Sequence, residues 1–196
     1  MHPAGRQVVL VDACVLAEAA VSDLLFRLST AIECIELRWS SQIWDETRNT
    51  WIRKLGWSPD LVDRRVHAAT SWFADSMVVD FEHLIEGCTN HPKDRHVLAA
   101  AIQGNATHLL TYNSKDFAVE LASIQVVQPA DFFISIFELH TETVVKVLLG
   151  ISQRTSRPIE EVLGRYAWTI RPFSVAVATY LNTGVVEISP KDWRRT

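Results

Sequence analysis

Asp12, Glu46, Asp94 and Asp116 stand in four separate segments of a 196-residue chain. Each lies where alternating strands and helices would turn toward one cleft. Asp12 ends the apolar run Val8-Val9-Leu10-Val11, and Glu46 stands in Ser41-Gln-Ile-Trp-Asp-Glu-Thr-Arg. Asp94 belongs to Pro92-Lys-Asp-Arg-His-Val-Leu-Ala-Ala-Ala, and Asp116 follows Thr107-His-Leu-Leu-Thr-Tyr-Asn-Ser-Lys. Carboxylates gathered at close range raise one another's pKa and cost stability. A divalent cation relieves that repulsion, and a hard ion such as Mg²⁺ or Mn²⁺ takes oxygen ligands. The spacing therefore points to metal-dependent phosphoryl chemistry. Singly, each residue has a plainer reading: Asp12 a turn or cap residue, Glu46 a carboxylate favoured by a helix dipole, Asp94 a cap, Asp116 part of a turn. The joint pattern carries the argument.

The elements that must hold these residues follow from the hydrophobic pattern. Residues 8–11 form a short β-branched run, as in a buried parallel strand. A helix is expected over 22–33 with Ser22 as N-cap, then a strand over 35–39. Ser40 or Ser41 should cap a helix to about residue 54, which Gly56 stops. Ser58-Pro59-Asp60 starts another helix, reaching about residue 73. Further strands are expected at 77–80, 107–112 and 124–127, with helices from Pro92 to about 104 and over 115–121. Strands alternating with helices imply an α/β fold with a parallel sheet covered on both faces. After Pro129 the pattern turns helical, over 131–149, 158–168 and 172–181, with one further strand signal at 185–188. The expected division is a domain at 1–135 and a helical extension at 136–196.

Bulk properties narrow the class. The chain is 48% hydrophobic and 21% charged, an ordinary globular composition. Its formal net charge of −4 supplies no overall attraction for nucleic acid, so a nucleic-acid substrate would rely on local Arg and Lys. Cys14, Cys34 and Cys88 are far apart and form no CxxC pair, which argues against a structural zinc site or a disulfide framework. Buried thiols in a reducing cytoplasm are the expectation. No signal peptide and no membrane span is read.

Together the four segments resemble the PIN domain family of metal-dependent ribonucleases. The matching pieces are Val-Leu-Val-Asp12-Ala-Cys-Val-Leu, Trp-Asp-Glu46-Thr-Arg, Pro-Lys-Asp94-Arg-His-Val-Leu-Ala-Ala-Ala and Leu-Leu-Thr111-Tyr-Asn113-Ser-Lys-Asp116-Phe117, in the family's order. Asp23-Leu-Leu-Phe-Arg-Leu and Arg38-Trp-Ser are similar to the bacterial branch that includes VapC-type toxins. The resemblance covers residues 6–135 and implies a three-layer α/β/α fold. It puts Asp12, Glu46 and Asp94 in the places of three acidic metal ligands, with Asp116 or Asn113 as the fourth. Cys14 stands where the first motif often has Asn; a thiol is a weaker donor than an amide, so the orientation of Asp12 should rest on other groups. The implied activity is Mg²⁺- or Mn²⁺-dependent RNA cleavage by Asp12, Glu46, Asp94 and Asp116. Thr111 and Asn113 would orient a ligand or water, and Arg48, Arg53, Arg95 and Lys115 would contact RNA. The implied partners are an RNA substrate and a cognate antitoxin that plugs the cleft, with a second copy of the chain as a further candidate. A housekeeping RNA-processing nuclease and a non-catalytic binding module are the rival classes.

Overall fold

A computed structural model describes residues 5–117 and 123–186. In chain order the elements are β1 (Gln7–Val11), α1 (Ala13–Leu16), α2 (Ala19–Ala31), β2 (Ile35–Arg38), α3 (Ser41–Asn49), α4 (Pro59–Trp72), α5 (Arg95–Gln103), β3 (His108–Leu110), β4 (Gln125–Val127), α6 (Pro129–Leu139), α7 (Thr141–Thr155), α8 (Ile159–Tyr166) and α9 (Arg171–Tyr180). A π turn, Thr50–Lys54, continues α3, and 3₁₀ turns include Pro92–Asp94 and Ser114–Phe117. The chain forms two compact units. The first takes the described residues up to Glu18 together with Cys34–Gln128; the second takes Ala19–Glu33 and the residues from Pro129 onward. The sequence-based division at 135/136 falls inside α6, and α2 joins the helices that come after it in the chain.

The first unit holds a four-stranded sheet in the order β2-β1-β3-β4, parallel throughout. Val9 pairs with Leu37, Leu10 with Leu109 and Leu109 with Val126. Val9, Leu10 and Val11 are each 0% exposed. Consecutive strand residues point to opposite faces, so both faces of β1 are covered. This is the α/β class expected: an all-parallel sheet flanked by helices, consistent with a three-layer PIN-like plan. Parallel strands end at the same edge, and Asp12 and Thr111 are the first residues past β1 and β3 there.

Local chemistry fixes the helices around this edge. Ser40 caps α3 by accepting from Ile43 N at 3.3 Å, and Gly56 ends the following turn with φ +67°. Ser58 caps α4 in the same way, with Pro59 at its first position. In α5, Val97 and Ala99 to Ala101 are all 0% exposed, the close packing that small side chains allow. In the second unit α2 packs against α7 and α8, and α6 against α7 and α9. Phe133 and Phe137 pack on Phe173, with ring centroids 5.6 and 6.3 Å apart.

Several local expectations are corrected. No strand forms at 77–80. Met77 makes one isolated bridge with Trp39, and Asp80 then turns left-handed at φ 57°. The helix expected over 131–149 is two helices broken at His140, whose φ −134° and ψ 41° are not helical. Ser22 is no N-cap: α2 begins at Ala19, and the buried Ser22 hydroxyl donates to the Ala19 carbonyl at 3.4 Å. The helix expected over 115–121 is a 3₁₀ turn at Ser114–Phe117, its remainder lying outside the described residues. Of the strand signal at 185–188, Val185 and Val186 are irregular and the rest lies outside the described residues.

Candidate active site

Asp12 leaves β1 as the N-terminal flank of α1, yet its carboxylate caps no helix amide. The backbone N–H of Asp12 donates to Leu110 O at 3.0 Å, which ties it to the end of β3. From β3 comes Thr111, 0% exposed, whose hydroxyl donates to Asp12 Oδ2 at 2.6 Å. The Cys14 thiol donates to the same oxygen at 3.1 Å. Thr111 Oγ1 also accepts from Asn113 N at 3.0 Å. The groups that orient Asp12 are thus Thr111 first and Cys14 second. Thr111 lies under the site and contacts Asp12; sequence reasoning had it orienting a ligand or water. Burial among these groups, beside the Asp12 charge, pushes the Cys14 thiol up to about 12. It therefore stays a neutral donor at ordinary pH.

Asp94 ends the 3₁₀ turn Pro92–Asp94 and opens α5, again without capping it. His91 N donates to Asp116 O at 3.1 Å, and Asp94 N donates to His91 O at 2.9 Å. These two bonds hold the entry to α5 against the turn that carries Asp116. Asp94 is 5% exposed, and its Oδ2 is buried without a hydrogen-bond partner; His91 Nδ1 lies 3.8 Å from it. Burial raises the Asp94 pKa most, and the charges of Asp12 and Asp116 raise it further, against the opposing pull of Lys93.

Glu46 projects from α3 half-buried. Desolvation raises its pKa, Asp12 and Asp94 add to the rise, and His96 and Lys93 oppose it. His96 Nε2 lies 3.3 Å from Glu46 Oε1, while its Nδ1 lies 3.1 Å from Lys93 O. Asp12, Glu46 and Asp94 thus lie within electrostatic reach of one another, and Asp116 within reach of Asp94, from four segments separated in sequence. Asn113 and Lys115 are exposed beside Asp116, and Arg95 donates to Asn90 O at 3.4 Å. Arg48 pairs with Asp63, and Arg53 lies exposed in the π turn.

The donor set is one of carboxylate oxygens, and one of them is buried and unpartnered. That chemistry suits a hard divalent cation. Among the described residues, no three Asp, Glu, His or Cys side chains converge closely enough to grip an ion between them. A cation held here would keep water in much of its coordination shell, as Mg²⁺ commonly does. Lys93, which sequence reasoning passed over, influences both Asp94 and Glu46. Its signal was adjacency to Asp94 in a motif already singled out.

The class is an all-parallel α/β sheet with acidic side chains near the carboxyl ends of its strands, the edge at which open α/β sheets commonly bind ligands. No protein-family model matches the chain. Over 87 residues, 43% of this chain, it is 33% identical to the protein named "Putative ribonuclease VapC50" of Mycobacterium tuberculosis, strain ATCC 25618 / H37Rv. The match spans about half of that relative, 52% of its length.

Proposed function

We propose that the chain is a Mg²⁺- or Mn²⁺-dependent endoribonuclease of the PIN type, acting as the toxin of a VapBC-type pair. The observation that carries the reading is the buried, unpartnered Asp94 Oδ2, with the charges of Asp12, Glu46 and Asp116 all within reach of Asp94. Likeness to a relative named as a ribonuclease supports it. Asp12, Asp94 and Glu46 would hold the cation largely through its water shell, with Asp116 in preference to Asn113 as the fourth carboxylate, because the charge of Asp116 acts on Asp94. A bound cation would lower the pKa of a water and neutralise charge on the scissile phosphate. Thr111 and Cys14 keep Asp12 in one orientation, which spares the site reorganisation during reaction. Lys115, Arg95, Lys93 and the exposed Asn113 supply positive and polar groups for phosphates in an otherwise acidic chain.

The test is RNA cleavage by the purified chain in Mg²⁺ or Mn²⁺ and in chelator, alongside Asp94→Asn. Loss of this charge should lower cleavage at least ~100-fold, the scale of a major electrostatic contribution. Cleavage within about threefold of wild type would remove Asp94 from the site. The toxin assignment is tested in cells: expression should arrest growth, and co-expression of the neighbouring antitoxin gene should relieve the arrest. A cleaving enzyme without arrest would favour the housekeeping nuclease.

A further inference from the structure

The face formed by α4 and the π turn Thr50–Lys54 lies outside the acidic cluster, and its chemistry runs against that of the chain as a whole. Residues 48–67 hold five Arg or Lys against two Asp, in a chain whose net charge is −4. Arg48 and Asp63 pair with each other, while Arg53, Lys54 and Arg64 are exposed. A buried stripe of Val62, Val66 and Ala69 seats α4. Beside it Leu61, Arg65, Ala68 and Trp72 recur at i, i+4, i+7 and i+11, which makes them a second stripe. That stripe ends in Trp72, an indole 72% exposed. The cationic end is held in place. Trp51 is 2% exposed, and its Nε1 donates to Ala17 O at 2.9 Å. Trp57 stacks on it, with ring centroids 5.1 Å apart and planes 17° apart. The Arg65 guanidinium lies 5.5 Å from both ring centroids. This cation–π seat ties α4 to the π turn, so that Arg53 and Lys54, two and three residues past Trp51, stay near Arg64 and Arg65. π turns are rare and recur at functional sites.

We propose that this face binds single-stranded RNA outside the acidic centre, with Arg53, Lys54 and Arg64 on phosphates and the Trp72 indole stacked on a base. This rests on reading the acidic centre as that of an RNA nuclease. Proteins that hold single strands combine a cationic track for the backbone with aromatic side chains on which bases stack, and α4 with the π turn presents both. A duplex keeps its bases paired and offers Trp72 no face, so the ligand is a single strand. Arg53 follows Glu46 by seven residues along α3 and its π continuation, about 10 Å of helical rise. One strand a few nucleotides long therefore spans the acidic centre and the near edge of this face. The face supplies affinity that the acidic centre, which repels phosphates until a cation is bound, does not.

The full chain in chelator, where a metal-dependent centre does not cut, provides the test. Its binding to a fluorescein-labelled single-stranded oligouridylate is followed by anisotropy across a salt series. Trp72→Ala should weaken binding at least ~5-fold, the low end for loss of one base–aromatic stack, and Trp72→Phe should keep most of the affinity. The double variant Arg53→Gln/Lys54→Gln should make the salt dependence shallower by about 1.4, at ~0.7 per single-strand phosphate contact. These side chains are exposed, so melting temperatures should stay near that of wild type. Absence of binding by the wild-type chain overturns the face. Unchanged affinity and salt slope in the variants overturn it too, and leave the nuclease reading to its Asp94→Asn test. A loss confined to the cationic variant also overturns it, because charge alone holds any polyanion. If Trp72→Ala separates a dimer into monomers in the ultracentrifuge and leaves RNA binding intact, the face joins copies of the chain and the proposal falls. RNA bound through Trp72 by a chain that cuts no RNA in Mn²⁺ supports the face and overturns the nuclease reading.

Discussion

Asp12 keeps its carboxylate at 5% exposure because Thr111 and Cys14 both donate to its Oδ2. Thr111→Val preserves shape and removes the shorter of these bonds. Stability should fall by about 1.5–3 kcal/mol, the usual value of a hydrogen bond to a charged group; urea unfolding that shows no change would mean that Cys14 suffices alone. The Cys14 thiol, pushed up to about 12, should resist iodoacetamide at pH 8, where an ordinary thiol reacts. Its linkage runs one way. The unfolded thiol ionises from pH ~8.5 upward and the folded one does not, so stability is lost as pH rises between those two values. Glu46 and Asp94 are also raised, mainly by burial. A carboxylate with a raised folded pKa contributes stability that is complete below its unfolded pKa and is lost as pH climbs through the folded one. In chelator, the protein should therefore melt higher at mildly acidic pH than at neutral pH, and Asp94→Asn should flatten that slope. Added Mn²⁺ should raise the neutral melting temperature of wild type by more than that of Asp94→Asn. An equal metal response in both would deny Asp94 a place in metal binding. Sequence singled out the four carboxylates because their motifs are local. It did not show that His96 meets Glu46 or that Lys93 acts on both Glu46 and Asp94, because contacts between separate segments are visible only in three dimensions.

The elements at the carboxyl edge depend on how closely α5 approaches its neighbours. An added Cβ at Gly104 would lie 2.9 Å from Val78 Cγ2 and 3.1 Å from Ala100 O. The φ of −76° there is ordinary, so crowding alone sets the cost. Gly104→Ala should destabilise by about 1–3 kcal/mol, the range for overpacking; an unchanged melting temperature would show that Val78 yields freely. The strands at the sheet centre were legible from β-branched runs, and the starts of α3 and α4 from Ser and Pro at their caps. Met77 misled because its apolar neighbours suggest a strand, while Asp80 adopts a left-handed turn that ends the extension. The break at His140 carries no Gly or Pro. Its only local signs are Thr141, whose hydroxyl donates back to Phe137 O at 2.7 Å, and Glu142 in the next first turn.

At the scale of the whole molecule, the two units are not successive lengths of chain. Periodicity identified the helices after Pro129, but contact between α2 and distant helices has no signature in a local window. Val21, Leu24, Leu25 and Leu28 of α2 are 0% exposed. A chain ending at Gln128 would leave this face without α7 and α8. It should emerge as an aggregate or a loosely packed species that binds a hydrophobic dye, and a monomer with a sharp melt would contradict the dependence. The same arrangement has a consequence for synthesis. α2 leaves the ribosome well before α7 and α8, which cover it and follow several seconds later at roughly 5–20 residues per second. Throughout that interval the nascent chain presents an apolar face to any binder of unfinished polypeptides, and the arrival of α7 and α8 sets when that face is covered.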